Sequence, residues 1–258
     1  AYCEDYDGWC GYCYYCDDCD CECANVTSIS GISGPYYVGD STSVSASTDV
    51  YVTPRCSMSW GGSASFSSIV GRTATATFNS TGSDLTINAS TNCQSGSGVS
   101  SSFDVVEITQ FQAKSSNFPK YVGDSISASD FDISASPSEY EGNVDVTGLS
   151  TSTSGNKTAY ASLLGHSEQA GYTVVEITQF EAKASSFPKH VGDSISKSDF
   201  DITTSPSGYE GSVEVTGLST AYPGERTAYA TLAGHSEQTN YIVVGITLFE
   251  AKASSFPK

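Results

Sequence analysis

Seven cysteines crowd the first 23 residues, at Cys3, Cys10, Cys13, Cys16, Cys19, Cys21 and Cys23, within the run AYCEDYDGWCGYCYYCDDCDCECA. Thiols at this density support several chemistries. Paired within one chain, an odd number leaves at least one thiol over, and that thiol can bridge to another chain. Covalent self-assembly through this head is the leading expectation. The spacing Cys10-x2-Cys13-x2-Cys16-x2-Cys19 is also close to that of cluster-binding loops, so the head is a candidate metal or redox site. It lacks the longer final gap and terminal proline of such loops. Seven acids among residues 1–24 already supply the negative charge that further thiolates would add to. No Cys-x-x-Cys-His stands anywhere, which excludes haem attachment. Asp18, Asp20 and Glu22 offer hard oxygens to Ca²⁺ but lack the glycine turn and distal glutamate of an EF-hand loop. The plainer reading of the acids is a solvated acidic segment. A piece this short cannot build a hydrophobic core and needs a covalent or metal staple.

The other two cysteines, Cys56 and Cys93, stand alone further on. A bridge between them would stabilise by about 3–4 kcal/mol in the chain-entropy estimate. The alternative is that each joins a cysteine of the head. Four Asn-x-Ser/Thr sequons, at Asn25, Asn79, Asn88 and Asn156, are candidate glycosylation sites. With the dense cysteines they indicate an oxidising, extracellular setting, secreted or at a cell surface. The chain begins at Ala rather than Met, which suits a mature product whose leader has been removed. Asp124, Asp130 and Asp132, with Asp193, Asp199 and Asp201, could clasp Ca²⁺; the competing reading is charge that keeps exposed sheet edges from pairing.

His166 and His235 occur in two copies of Gly-His-Ser-Glu-Gln, and His190 stands where the other copy has Tyr121. A Ser/His/acid triad can be drawn from them on paper. No nucleophile elbow and no His-Glu-x-x-His accompanies them, and a duplicated position serves the fold more naturally than a single active site. They are read as turn or strand-end residues. No catalytic residue is assigned, the chain is not expected to be an enzyme, and no cofactor is required beyond the Ca²⁺ just considered. The exchanges of Tyr121 for His190 and Lys157 for Arg226 look like those of tolerant surface positions.

The elements carrying these residues follow from composition and repetition. The 258 residues hold 24 Gly and 1 Met and are rich in Ser and Thr, a poor mixture for helices. Formal net charge is −18 with 11 basic residues, which argues against nucleic acid as a partner. No apolar window is long enough for a membrane span. Residues 106–174 and 175–243 align without a gap at an offset of 69, and 49 of 69 positions are identical. Residues 244–258 repeat the opening of the same unit. That leads to two expectations: the natural protein continues with more repeats, or the segment is donated to a neighbouring subunit's sheet. Pro35 to Asp40 matches Pro119 to Asp124, so residues 25–105 form a divergent relative, after a head at 1–24. Each of the two full repeats carries a net charge of −5.

Periodicity within a repeat is two. Val144 and Val146 alternate with Asn143, Asp145 and Thr147, and Phe131 and Ile133 with Asp130 and Asp132. One face is therefore buried and the other solvated, as in antiparallel sandwich sheets. Tyr172 and Val174 share one parity and Val175 and Ile177 the other, which predicts a kink or domain boundary there. About seven strands per unit are expected, and the fold class is all-β: tandem β-sandwiches behind an irregular head.

Pro188 to Ile195, Asp199 to Ile202, Val215 to Thr220 and Pro223 to Tyr229 together resemble the bacterial immunoglobulin-like repeats of surface and secreted proteins. The resemblance covers 106–258 well and 26–105 loosely, and does not reach the head. It implies a seven-stranded sandwich serving as spacer, stalk or adhesive module, and no chemistry. The expectation is an extracellular structural protein whose partner is itself, in a filament, fibre or stalk. Two alternatives stand beside it: an adhesin gripping glycans or a host or cell surface, and a secreted metal or redox protein using the head.

Overall fold

The structure is a computed structural model and describes residues 24–49, 57–92 and 98–246. The first sandwich is built from β1 (Val26–Ser30), β2 (Tyr36–Tyr37), β3 (Ser41–Thr48), β4 (Met58–Gly62), β5 (Ser65–Val70), β6 (Thr73–Thr77), β7 (Gly82–Thr91) and the start of β8 (Val99–Ala113). One sheet runs β1-β3-β6-β5; in the other, β4, β7 and β8 are neighbours and β2 lies parallel to β8. Strand β6, Thr-Ala-Thr-Ala-Thr, shows why these residues choose strands. Ala74 and Ala76 are buried while the threonines face outward, and the β-branched residues suit the pleat. Phe78, Ile87, Phe103, Val44 and Val105 fill the core between the sheets.

The two repeats follow with matching elements. The middle one adds β9 (Lys120–Tyr121), β10 (Phe131–Ser136), β11 (Asp145–Thr147), β12 (Gly155–Leu163) and β13 (His166–Ala182). The last adds β14 (Lys189–His190), β15 (Phe200–Ser205), β16 (Glu214–Thr216), β17 (Gly224–Leu232) and β18 (His235–Val244). Its sheet order is β14-β18-β17-β16, the equivalent of β9, β13, β12 and β11 one repeat earlier. The described residues thus form an all-β tandem of β-sandwiches. Its contacts fall into two compact units. One takes residues up to 111 with 133–145 and 161–168; the other takes 112–132, 146–160 and the chain from 169. The middle repeat contributes to both.

The parity switch marks a handover between cores. Strand β13 runs unbroken through Val174 and Val175, and both valines are fully buried. Val105 and Val106 do the same in β8: Val105 packs in the first core, and Val106 packs with Ile108, Ala161 and Leu163 in the next. A strand with side chains on both faces can serve two cores in succession without bending. Of the kink or domain boundary expected from parity, the strand shows a change of core, and it continues through that point without a break. Among the described residues each repeat has six strands rather than seven: the middle one uses halves of β8 and β13, and the last uses the second half of β13. Where another strand would run, Ser138–Asn143 and Glu210–Ser212 form 3-10 turns. Pro137 offers no N–H to a ladder, and Gly142 offers no side chain to a core.

Tyr241, almost fully buried, fixes the loop that precedes β17. Its hydroxyl accepts the Ser219 N–H at 2.7 Å and meets the Gly217 and Ser219 carbonyls at 3.1 and 3.0 Å. Tyr172 repeats these contacts at Gly148 and Ser150.

Candidate functional site

Two devices meet at the same point of each repeat. The first is a tight turn. Tyr121-Val122-Gly123-Asp124 closes through the Asp124 N–H on the Tyr121 carbonyl at 3.1 Å. Gly123 takes a φ of +88°, the left-handed value that a turn of this type requires at its third position. Asp124 Oδ2 accepts the Tyr121 N–H at 2.7 Å, which leaves Oδ1 directed outward from the turn. Tyr37 to Asp40 has the same construction, with Gly39 at +93° and Asp40 Oδ2 on the Tyr37 N–H at 2.9 Å. The second device is a two-residue hairpin. Ala233 and Gly234 both have positive φ, the primed geometry whose twist matches its strands, and His235 is the first residue of the returning strand. Leu164, Gly165 and His166 repeat it.

The two devices fit together twice. His235 lies flat on Tyr121, centroids 4.4 Å apart and planes 13° apart, and its Nε2–H donates to Asp124 Oδ1 at 2.7 Å. His166 lies on Tyr37 at 4.1 Å and 9°, with Nε2 3.0 Å from Asp40 Oδ1. Each tyrosine is buried, and its hydroxyl accepts a backbone N–H of the following unit: Tyr121 from Ile177 at 3.2 Å, Tyr37 from Ile108 at 3.1 Å. Smaller contacts add to this. Tyr140 donates to Asp104 Oδ2 at 2.5 Å, a bond that pushes its hydroxyl up to about 12. Ser136 and Glu139 bond Thr81 and Ser83. This arrangement is a joint. The imidazole has its ring face against tyrosine and its Nε2–H on a carboxylate, an arrangement that binds one sandwich to the next.

The histidines do start strands, as expected, but their joint role was not foreseen. Tyr121 corrects the surface reading of its exchange with His190: it is 8% exposed because a following sandwich covers it, whereas the His190 side chain is 63% exposed. The signal available in sequence was the shared period. Val-Gly-Asp and Gly-His recur together in both full repeats, at the same offset of 69.

The six aspartates proposed for Ca²⁺ are not brought together. Asp124 and Asp193 close their own turns. Asp130 and Asp199 meet Lys120 and Lys189, each at 2.8 Å. Asp132 and Asp201 lie on β10 and β15, which end their sheets, and Asp201 Oδ1 is 3.9 Å from Lys183 Nζ. Among the described residues no three His, Cys, Asp or Glu side chains converge as ligands. A groove of 690 Å³ beside the second joint is bordered by Lys120 and Asp124, already paired with Asp130 and His235.

The Lys–Asp pairs have a pH signature. The Asp199 carboxyl is held below the usual range by the Lys189 ammonium and then by the Ser196 N–H. Burial pushes Asp130 up, but bonds from Lys120, the Ser127 N–H and Asn117 outweigh it, and the net direction is down. Each carboxyl therefore holds its proton less readily folded than unfolded. Its contribution is complete above about pH 4, the ordinary aspartate value, and is lost as pH falls through the lower folded value. The denaturant midpoint is expected to hold from neutrality to about pH 5 and to fall below about pH 4. Asp130→Asn with Asp199→Asn should flatten that fall. An unchanged acid slope in the double variant would assign acid sensitivity to other groups.

Cys56 and Cys93, like the seven head cysteines, lie outside the described residues. All four sequon asparagines are described. Asn25 and Asn79 spend their side-chain N–H on Asp49 Oδ2 and Ser65 Oγ, while Asn88 and Asn156 are exposed on β7 and β12 and use their amide oxygens as acceptors. No helix among the described residues is long and apolar enough to cross a membrane.

The sequence matches no protein-family model, and no curated relative matches it. Solved structures with a similar succession of domains include three immunoglobulin domains of titin, at 12% identity and TM-score 0.35, covering 87% of this chain and 98% of that one. Extracellular domains 3–5 of Drosophila OTK match at 10% and 0.27, over 88% and 98% of the two chains. Domains 4–9 of the surface layer protein SbsC match at 11% and 0.23, over 84% and 50%. Identities and TM-scores this low carry no argument about this chain.

Proposed function

We propose that this chain is a non-enzymatic extracellular structural protein, a protomer of a surface filament, fibre or stalk. In this reading tandem sandwiches supply length and the cysteine-rich head joins chains. The joint carries the reading. Tyr–Asp turn and Gly–His hairpin meet twice, and β8 and β13 each carry residues of two successive sandwiches. A chain whose recurring polar constellation couples one domain to the next is organised to extend. The two full repeats carry equal negative charge, which keeps molecules soluble and apart except where they are covalently joined. Affinity with bacterial immunoglobulin-like repeats belongs to this proposal, as does working without a cofactor.

Non-reducing electrophoresis should show multimers that collapse to a monomer on reduction. A monomer band in both lanes would remove assembly through the head. Intact mass should exceed the 27.0 kDa of the bare chain by glycan increments, with Asn88 and Asn156 the first sites to inspect. A second reading, an adhesive module, is favoured by Tyr222, 71% exposed in the loop before β17. Retention on a glycan array that is lost in Tyr222→Ser would move the assignment there.

A further inference from the structure

The turn that receives a histidine occurs three times, and in two of them the histidine is present. The third is His190-Val191-Gly192-Asp193. Its Asp193 N–H closes on the His190 carbonyl at 3.0 Å, Asp193 Oδ2 accepts the His190 N–H at 2.7 Å, and Gly192 takes φ +88°. Thr220 Oγ1 buttresses it through the Asp193 carbonyl at 2.7 Å, as Thr151 does at Asp124 at 2.6 Å. The parallel bridge recurs too: Lys189 and His190 pair with Val243 and Val244, as Lys120 and Tyr121 pair with Val174 and Val175. The backbone of the third turn is therefore already in its receiving form.

Among the described residues, its side chains are exposed where those of the other two are packed. Val38 and Val122 lie against the cores that follow them, but Val191 is 45% exposed. The Asp193 side chain is 47% exposed against 25% for Asp124. Ile246, at the position of Ile177 in the repeat, is 80% exposed. An apolar valine and isoleucine beside an outward carboxylate match what the two filled turns present to the Gly-His hairpin.

We propose that the surface formed by His190, Val191, Asp193 and Ile246 docks a further copy of this repeat, which seats the Gly-His hairpin of that copy on His190 and Asp193. This inference rests on the joint geometry and is independent of the filament and of the extracellular setting. The occupant is specified by its chemistry: a solvent-facing imidazole at the start of a returning strand, following a two-residue turn, on a sandwich continuous with Val244. The third joint differs from the others in one respect. Imidazole lacks the phenol hydroxyl that reaches the following backbone N–H in the first two joints, so this joint is the weaker one.

The test lengthens the whole chain. A copy of residues 175–243 is fused directly after Val243 in place of 244–258, and a second version carries a copy of 106–174 instead. In either version the His190 ring signals should shift relative to the parent chain. Asp193→Ala, or alanine for the hairpin histidine of the added copy, should reverse the shift. His190→Tyr should slow exchange of the amide at the Ile246 position roughly fivefold to tenfold, as a new hydrogen bond would. Unperturbed His190 signals with a folded added copy would overturn the proposal. So would both added copies remaining unfolded, since the third sandwich would then lack the support that the first two give.

Discussion

Tyr121→Ala is expected to destabilise the last sandwich by about 3–5 kcal/mol, the range for deleting a buried aromatic ring. His235→Ala should cost far less, about 1–2 kcal/mol, because it removes a ring contact and a half-exposed hydrogen bond of modest worth. The order follows from burial. Tyr121 is 8% exposed and packs with Val175, Ile177 and Val243, whereas the His235 side chain is 47% exposed. Tyr121→Phe separates the ring from its hydroxyl. It keeps the packing and leaves the Ile177 N–H without its acceptor, a loss of about 1–3 kcal/mol. Denaturant unfolding with hydrogen exchange at Ile177 measures all three. If His235→Ala proved as damaging as Tyr121→Ala, the joint would be governed by the polar contact and the account of it here would fail.

We propose that Cys56 pairs with Cys93, and Cys56→Ser with Cys93→Ser is then expected to cost about 3–4 kcal/mol on the chain-entropy estimate. The described residues nearest to the two cysteines are antiparallel neighbours in β4 and β7. Met58 opposes Thr91 in the β4–β7 ladder, the Asn92 N–H donates to the Ser57 carbonyl at 3.1 Å, and the Ser57 N–H donates to Asn92 Oδ1 at 2.9 Å. The repeats contain no cysteine, so reductant should shift unfolding of the first sandwich and leave the others unchanged. Peptide mapping under non-reducing conditions checks the pair directly. A peptide linking either cysteine to the head would reject it.

Period-two alternation, scarcity of helix formers and the repeat of 69 residues are local properties, and they sufficed to announce strands, sandwiches and their succession. The alternation in Thr73–Thr77 and around Val144 and Val146 reappears as buried and exposed faces, because a pleated strand turns every second side chain the same way. Even the flip at Val174 and Val175 was visible in sequence. Only the packed structure shows that one strand serves two cores there, since parity records which face is covered and not what covers it.

The joint was hidden for a similar reason. Tyr121 and His235 are 114 positions apart, and nothing in the chemistry of either names the other. Their meeting depends on a positive-φ turn that aims a carboxylate, on a two-residue hairpin that presents an imidazole, and on a shared strand that sets the distance between them. The same distance in sequence left the aspartates open to a Ca²⁺ reading. In the fold Asp130 and Asp199 face lysines, Asp124 and Asp193 close their own turns, and Asp132 and Asp201 lie on edge strands. Residue types decided which contacts were available, and long-range closure of the backbone decided which of them formed.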